Sequence, residues 1–184
     1  MIKINFGSGP FPLPGWVNVD LNFADHPDVV ADLSRALPFA TACADYLHTE
    51  DFIAQLDPEP LERLLREWRR ILKPSGTLRV LTPDLDRFMR MYLESPAELI
   101  DIWNRSVGVP LPVDTACSVV NLGMRLAGRF QYDRLTFTRI ANAAGFDVEA
   151  VTYNQSRFAE LRGLDLRRPA ESVSMYLECT PRRG

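Results

Sequence analysis

Short apolar runs that each end on polar residues fill the first 50 positions, and this pattern constrains the fold more than any other feature. In the first run, Ile2, Ile4 and Phe6 alternate with polar residues. The four runs are 2–6, 16–20, 29–32 and 44–48, and they end at Gly7-Ser8-Gly9, at Asp20, at Asp32 and at His48-Thr49-Glu50-Asp51. Such runs, bounded by turn residues, predict strands whose polar ends carry the chemistry.

An amphipathic helix follows the fourth predicted strand. Its apolar residues recur at the spacing of one buried helix face: Leu61, Leu64, Leu65, Trp68, Ile71 and Leu72. Asp57 is the predicted N-cap, and the turn at 73–76, which contains proline and glycine, ends the helix. A fifth strand is predicted over 77–81.

The rest of the chain is less regular until its last 50 residues. Helical stretches are predicted at 88–93, 98–104 and 117–126, with a semi-rigid connection at Val109-Pro110-Leu111-Pro112. Thr136 is expected to cap a helix that runs to Ala144, followed by a sixth strand over 146–153. Strict alternation over 173–180 predicts the closing strand.

Strands that alternate with helices predict a three-layer α/β fold with a mostly parallel, seven-stranded sheet. The closing pair of strands has no helix between them, so an antiparallel strand is expected at the sheet edge. We expect a single domain over 1–184, in which 85–134 forms a helical insertion or lid. In such a sheet, ligands bind at the carboxyl ends of the strands, where the polar ends of the first four runs meet.

Composition disfavours several classes of function. A net charge of −3 and a pI of about 5.4 provide no basic field for nucleic acid. No apolar stretch approaches the length of a membrane span, and residues 1–5 lack the pattern of a secretory signal, so we expect neither a membrane protein nor an exported one. The three cysteines have no metal-binding spacing, so we expect neither a metal site nor disulfides. Free cysteines are typical of a reducing compartment, so we expect a cytoplasmic protein.

The glycine turn and the two acidic strand ends predict a nucleoside pocket. Gly7 and Gly9 allow the backbone to approach a ligand closely, and Asp20 can accept hydrogen bonds from ribose hydroxyls. A dinucleotide such as NAD is the alternative, but its fingerprint requires a third glycine where Pro12 stands and an acid about 20 residues further on. The prolines of 10–14 also exclude a helix in the first crossover, which leaves no helix dipole for a pyrophosphate.

Three segments carry a resemblance to a known family. The runs INFGSGPFPLPGWVNVDL, ADLSRALPF and LLREWRRILKPSGTLRVLTPDL resemble the small S-adenosylmethionine-dependent methyltransferases of the type 11 class, a match that spans 2–86. The resemblance implies a Rossmann-like fold with a shortened first crossover, and S-adenosylmethionine as cofactor. The cofactor-binding residues that it implies are Gly7, Ser8, Gly9, Asp20, Leu21, Asp32, Leu33, Thr49 and Glu50.

The chain departs from this family pattern in its histidines. Asp51, Ala54 and Gln55 stand where many relatives carry a His-x-x-Glu-His pattern, and Gly128 replaces another histidine. Two hypotheses therefore stay open: a methyltransferase acting on a small molecule or a glycan precursor, and a catalytically silent S-adenosylmethionine-binding protein that acts through a partner.

The candidate catalytic bases lie on the same rim. They are Glu50, Asp51 and Asp84, with His48 as a further candidate that is also interpretable as a structural histidine. Asp84 is equally interpretable as the cap of the next helix.

Overall fold

A computed structural model describes residues 1–106, 111–126 and 128–182. The strands are β1 (Lys3–Phe6), β2 (Val17–Asp20), β3 (Val29–Val30), β4 (Ala44–Glu50), β5 (Leu72–Pro83), β6 (Phe146–Ala150) and β7 (Ser174–Pro181). The helices are α1 (Pro58–Ile71), α2 (Leu85–Glu94), α3 (Pro96–Ser106), α4 (Ala116–Leu126) and α5 (Arg134–Ala143).

The seven strands form one sheet in the order β3-β2-β1-β4-β5-β7-β6. The pairs from β3 to β5 are parallel, and β7 runs antiparallel to both β5 and β6. This confirms the predicted fold class. The antiparallel strand does not lie at the edge as predicted, because β7 inserts between β5 and β6 and seven of its eight residues are buried there.

The first crossover is as short as the sequence predicts. Residues 7–16 connect the parallel strands β1 and β2 without a helix. The turn begins at Gly7, whose φ of 68° lies in the left-handed region that glycine adopts without strain. The backbone N–H groups of Gly7 and Ser8 both donate to the carbonyl of Val19, which fixes the turn against the end of β2.

One face of the sheet is apolar and packs against α1 and α5. Ile4, Phe6 and Leu47 project onto this face, where the Phe6 ring stacks on Trp68 with centroids 5.3 Å apart. The helix α1 begins one residue after Asp57, which occupies the N-cap position without a side-chain capping bond. This face forms the main core.

The opposite face carries a row of buried polar side chains. Register places Asn5 beside Asn18 and His48, His48 beside Arg79, and Arg79 beside Glu178. All five side chains belong to residues that are at most 6% exposed. The mostly non-helical residues 151–173, called the covering segment, contact the Arg79 end of this row, and the first crossover contacts the Asn18 end.

Arg79 joins this covering segment to the sheet. Its guanidinium donates to both carboxylate oxygens of Asp165, at 2.7 Å from Nε and 2.5 Å from Nη2, and to Glu178 at 3.0 Å. It also donates to the carbonyls of Thr152 and Gln155. Five hydrogen bonds therefore satisfy a fully buried charge, as burial requires.

The helices α2, α3 and α4 form a second apolar cluster, separate from the main core, around Phe88, Ile102 and Val119. The predicted connection at 109–112 lies partly outside the described residues, since Val109 and Pro110 are not described. None of the described helices is long and apolar enough to cross a membrane.

Several predicted boundaries differ from the structure. Asp133, not Thr136, caps α5, because its carboxylate accepts the backbone N–H of Thr136 at 2.7 Å. The third strand is only two residues long, and β6 ends at Ala150 rather than at 153. The fourth strand extends to Glu50, and β5 starts at Leu72 because that residue already pairs with Ala44.

Candidate functional site

A cavity of about 230 Å³ lies where β1 and β4 end, and we call it the rim cavity. The glycine turn 7–9 forms one wall, and Leu166 and Arg167 of the covering segment form another. Asn5, His48 and Glu50 line it from the polar face of the sheet. The cavity therefore opens at the carboxyl ends of parallel strands, where the sequence predicts ligand binding.

The glycine turn contributes one unpaired polar atom, which belongs to a residue that lines this cavity. Ser8 Oγ is buried and has no hydrogen-bond partner among the described residues. A Cβ at Gly9 would meet no atom within 4 Å, so the space beside it is open to a ligand. A Cβ at Gly7 would lie 2.7 Å from Phe52, which closes the floor of the turn.

Asp20 lies at the end of β2, directly behind the glycine turn. One carboxylate oxygen accepts the N–H of Gly9 and the other accepts the N–H of Asn22, both at 2.8 Å. A carboxylate offers about four lone-pair sites, so Asp20 keeps acceptor capacity for two hydroxyl groups. These backbone bonds also fix the orientation of its carboxylate.

Asp20 and the other residues predicted near ribose and adenine do not line the rim cavity itself. Asp32 accepts hydrogen bonds from the N–H and the hydroxyl of Ser34, and Leu33 is buried in the main core. Leu21 is 65% exposed. Thr49 is fully buried and projects to the apolar face, because successive strand residues alternate and Glu50 faces the cavity.

Glu50 lines the rim cavity as a desolvated carboxyl group. Burial is the main cause that raises its pKa from 4.5 to about 7, and the nearby Asp51 charge adds to it. The backbone N–H groups of Leu166 and Arg167 donate to it at 3.0–3.2 Å and partly oppose this rise. The covering segment is thus bonded to the end of β4.

Asp51 occupies the boundary of the rim cavity. Its φ of 56° is unusual for a residue with a side chain and indicates local backbone strain. Arg167 Nε donates to its carboxylate at 2.7 Å, with both side chains partly exposed. This ion pair connects the end of β4 with the covering segment a second time.

A second cavity, of about 310 Å³, lies beneath α2, α3 and α4, and we call it the helical cavity. Its wall is mostly apolar and includes Phe88, Ile102 and Val119. Asp51, Gln55 and Arg167 line both cavities, so the two spaces meet at these three residues.

Polar residues also line the helical cavity, among them Asp84 and Gln131. Asp84 caps α2 by accepting the N–H of Asp86 at 3.1 Å, and burial raises the pKa of its carboxyl group. Gln131 Nε2 is buried without a partner in the described part of the chain. The structure thus shows Asp84 as a helix cap that also lines a cavity.

Gly128, which the family resemblance aligns with a histidine, has a backbone that excludes a side chain. Its φ is 135°, and a Cβ would lie 2.2 Å from the carbonyl oxygen of Ala54. The N–H groups of Arg129 and Phe130 donate to that same carbonyl. A tight backbone contact therefore occupies this position.

Sequence reasoning missed Arg167, Gln131 and the Arg79 cluster. Arg79 alternates with apolar residues in the fifth predicted strand, so a charged residue facing one side of a central strand was a usable signal. Arg167 and Asp165 lie in a segment without periodicity, and no local pattern marks their contacts.

Part of the chain matches a known protein family. Residues 17–80, from β2 into β5, match a family model described as a methyltransferase domain, of the type 11 class. This segment is therefore similar to the methyltransferases of that class, and it includes the end of β2, β4 and the helix between β4 and β5. No curated protein matches the chain in sequence.

Solved structures share the fold of this chain at low sequence identity. A Thermotoga maritima S-adenosylmethionine-dependent methyltransferase, described as a possible histamine N-methyltransferase, is 17% identical, with a TM-score of 0.57 over 98% of this chain and 82% of that one. A Methanosarcina mazei methyltransferase is 13% identical, with a TM-score of 0.57 over 98% and 92%. One from Mesorhizobium loti is 14% identical, with a TM-score of 0.57 over 97% and 89%.

The cofactor of this family is S-adenosylmethionine, and the rim cavity fits it chemically. Ser8 Oγ and His48 Nε2 are buried polar atoms without partners in the described residues, and both residues line the cavity. Gly9 leaves open space, and Asp20 holds spare acceptor capacity next to it. A ligand with an amino acid part and a ribose satisfies these groups, whereas the helix-free crossover offers no site for a pyrophosphate.

Proposed function

We propose that this chain is a methyltransferase that transfers the methyl group of S-adenosylmethionine to a small-molecule acceptor bound in the helical cavity. The observation that carries the proposal is the contact between the two cavities at Asp51, Gln55 and Arg167. A cofactor in one cavity and an acceptor in the other then meet at a single boundary. Methyl transfer depends mainly on such in-line positioning of nucleophile and sulfonium.

For the cofactor, we assign the glycine turn 7–9 to the methionine part and ribose, and Asp20 to the ribose hydroxyls. Asp32, with Leu21 and Leu33, is assigned to the adenine side, because β3 lies beyond β2 in the sheet order. Glu50 lines the methionine side, and Thr49 supports it from the apolar face. The hydrogen bond from Gly9 to Asp20 supports a common ribose site.

For the acceptor, the wall of the helical cavity favours an apolar small molecule over a glycan precursor. A glycan presents hydroxyl groups on all sides, and Phe88, Ile102 and Val119 would leave them without partners. A volume of about 310 Å³ is at the low end for small-molecule pockets, which suits a compact ring system.

Asp84 is our first candidate for the general base. Its carboxyl group lines the helical cavity, and burial raises its pKa towards the range in which it accepts a proton effectively. With the cofactor bound as the methyl donor, Asp84 would accept the proton that the acceptor oxygen or nitrogen releases on methylation. Asp51, paired with Arg167, and Glu50 line the cofactor side and are the other two candidates.

We further propose that 85–134 acts as a lid within a single domain over 1–184. The separate apolar cluster of α2–α4 supports this division, because these helices do not share the main core. A cytoplasmic location is also proposed, since the three cysteines are all free thiols.

The alternative function is a silent S-adenosylmethionine-binding protein that acts through a partner. The excluded side chain at Gly128 favours it, because a tight backbone contact occupies the position that the family resemblance aligns with a histidine. The helical cavity favours the enzyme, because side chains do not fill the space beside the rim cavity.

A transfer assay with methyl-labelled S-adenosylmethionine and a panel of hydroxylated and aminated ring compounds tests the proposal. We expect label in an acceptor, and a loss of transfer in Leu126→Trp, because Leu126, although 48% exposed, lines the helical cavity. Met124→Trp is the matched control, since Met124 is exposed on the same helix and does not line the cavity. Cofactor binding without transfer to any acceptor, unchanged by either substitution, would support the silent alternative.

A further inference from the structure

The buried polar row contains a hydrogen-bond chain with a fixed direction. Asp28, whose carboxylate can only accept, receives the backbone N–H of Asn18 at 2.8 Å and its side-chain Nδ2 at 3.1 Å. The Nδ2 group of Asn18 also donates to the carbonyls of Leu13 and Trp16. The amide of Asn18 is therefore oriented with its oxygen towards β1.

The direction continues through β1. Asn18 Oδ1 accepts Asn5 Nδ2 at 3.1 Å, so the amide oxygen of Asn5 faces β4. That oxygen lies 2.9 Å from Nδ1 of His48. Because an amide oxygen cannot donate, Nδ1 must carry the proton and donate to Asn5.

The other imidazole nitrogen is then an unused acceptor. His48 is 2% exposed, and burial lowers its pKa to about 3, so the ring is neutral at physiological pH. With the proton on Nδ1, Nε2 presents a lone pair. It has no hydrogen-bond partner among the described residues, and His48 lines the rim cavity.

The order of the strands indicates which donor group of the ligand forms a hydrogen bond to this lone pair. S-adenosylmethionine has donors at the adenine amino group, the ribose hydroxyls and the α-ammonium group. The first two are assigned near Asp32 and Asp20, on the far side of β1 from β4. The donor left for His48 is the α-ammonium group.

We propose that His48 Nε2 accepts a hydrogen bond from the α-ammonium group of the cofactor, with Asn5, Asn18 and Asp28 fixing the required tautomer. His48 is thus a binding residue, and Asn5 is a positioning residue. The charge of the neighbouring Arg79 adds to burial in lowering the pKa of His48, so it keeps the imidazole neutral, and that charge is itself paired with the carboxylates of Asp165 and Glu178. This inference rests on the proposed cofactor site and extends it.

Calorimetry with two ligands and two proteins isolates this contact. The ligands are S-adenosylhomocysteine and its analogue in which hydrogen replaces the α-amino group, and the proteins are the full chain and its His48→Phe variant. The full chain should prefer S-adenosylhomocysteine by about 10- to 150-fold, the range for a hydrogen bond to a charged group. His48→Phe should lose most of that preference and bind the deaminated analogue as the unmodified chain does.

A His48→Phe variant that keeps the full preference overturns the inference. A full chain that binds neither ligand overturns the proposed cofactor site itself, so the two failures are distinguishable. If His48→Phe does not fold, ¹⁵N spectra of the unmodified chain decide, and only two histidines need assignment. A bare Nε2 whose resonance shifts on addition of S-adenosylhomocysteine supports the inference, and a protonated or unresponsive Nε2 contradicts it.

Discussion

The two faces of the sheet are equally buried and chemically opposite. On the helical face, Ile4, Phe6 and Leu47 pack against α1 and α5. On the other, Asn5, His48 and Arg79 stand at alternating positions of the same strands, in the row that the covering segment and the first crossover contact at its two ends. The first face stabilises the fold through burial of apolar surface, and the second through satisfied hydrogen bonds and paired charges.

This difference explains where the site lies. Buried polar side chains in proteins mostly find hydrogen-bond partners, and two of the buried atoms that lack one in the described residues belong to residues that line the rim cavity. Ser8 and His48 carry unpaired polar atoms there, in the described part of the chain, whereas Arg79 a few ångströms along the row is fully paired. A ligand at the rim completes a network that the protein leaves open.

The largest expected effect comes from a substitution that removes the paired cation of the polar face. Arg79→Met leaves Asp165 and Glu178 buried without their cation, and we expect a loss of about 3–5 kcal/mol in the free energy of unfolding. Urea denaturation measures it. Lys73→Met is the matched control, because its pair with Asp45 is partly exposed and should contribute at most about 1 kcal/mol. Equal losses in the two variants would mean that the polar face does not depend on charge pairing.

A smaller effect concerns Glu50 and pH. Its folded pKa of about 7 exceeds the ordinary 4.5, so the folded state holds a proton that the unfolded state has released. The free energy of unfolding should therefore fall by about 2–3 kcal/mol as pH rises from 4.5 to 7. In Glu50→Gln this fall should be absent, and thermal denaturation at several pH values compares the two proteins. Parallel pH profiles would show that Glu50 titrates normally in the folded state.

A substitution at Asp20 tests whether the cofactor site extends from the rim cavity to the end of β2. Asp20→Ala removes the proposed ribose acceptor, and we expect about 10- to 150-fold weaker binding of S-adenosylhomocysteine. Asp25→Ala is the control, because Asp25 lies in the next turn and bonds only to Asn22 among the described residues. Calorimetry on folded variants measures both, and equal affinities would remove Asp20 from the site.

The sequence predicted the residues of the helical face of the sheet better than those of the polar face. Periodicity identified the helical face, since Leu61, Leu65 and Trp68 repeat at helical spacing. The glycine turn and Asp20 were found because both end predicted strands. The pairing on the polar face was not predicted. Arg79 and Asp165 are 86 positions apart in the sequence, and no local pattern indicates that they form an ion pair.

The smallest expected effect is a change in hydrogen exchange in α2–α4. If this segment is a lid, its amides should gain protection of about 5-fold with S-adenosylhomocysteine alone, the low end for coupling between sites, and more when an acceptor is added. The helix α1 provides the internal reference. Protection in α2–α4 equal to that of α1 before any ligand is added would mean that the segment is a fixed part of the fold.

Calorimetric titration of the full chain with S-adenosylmethionine, S-adenosylhomocysteine and NAD tests the central claim most directly. The rim cavity provides groups for an amino acid part and a ribose, next to a crossover without a helix for a pyrophosphate. We predict one site that binds both adenosyl ligands and no binding of NAD. Tight binding of NAD with no binding of either adenosyl ligand would contradict the account.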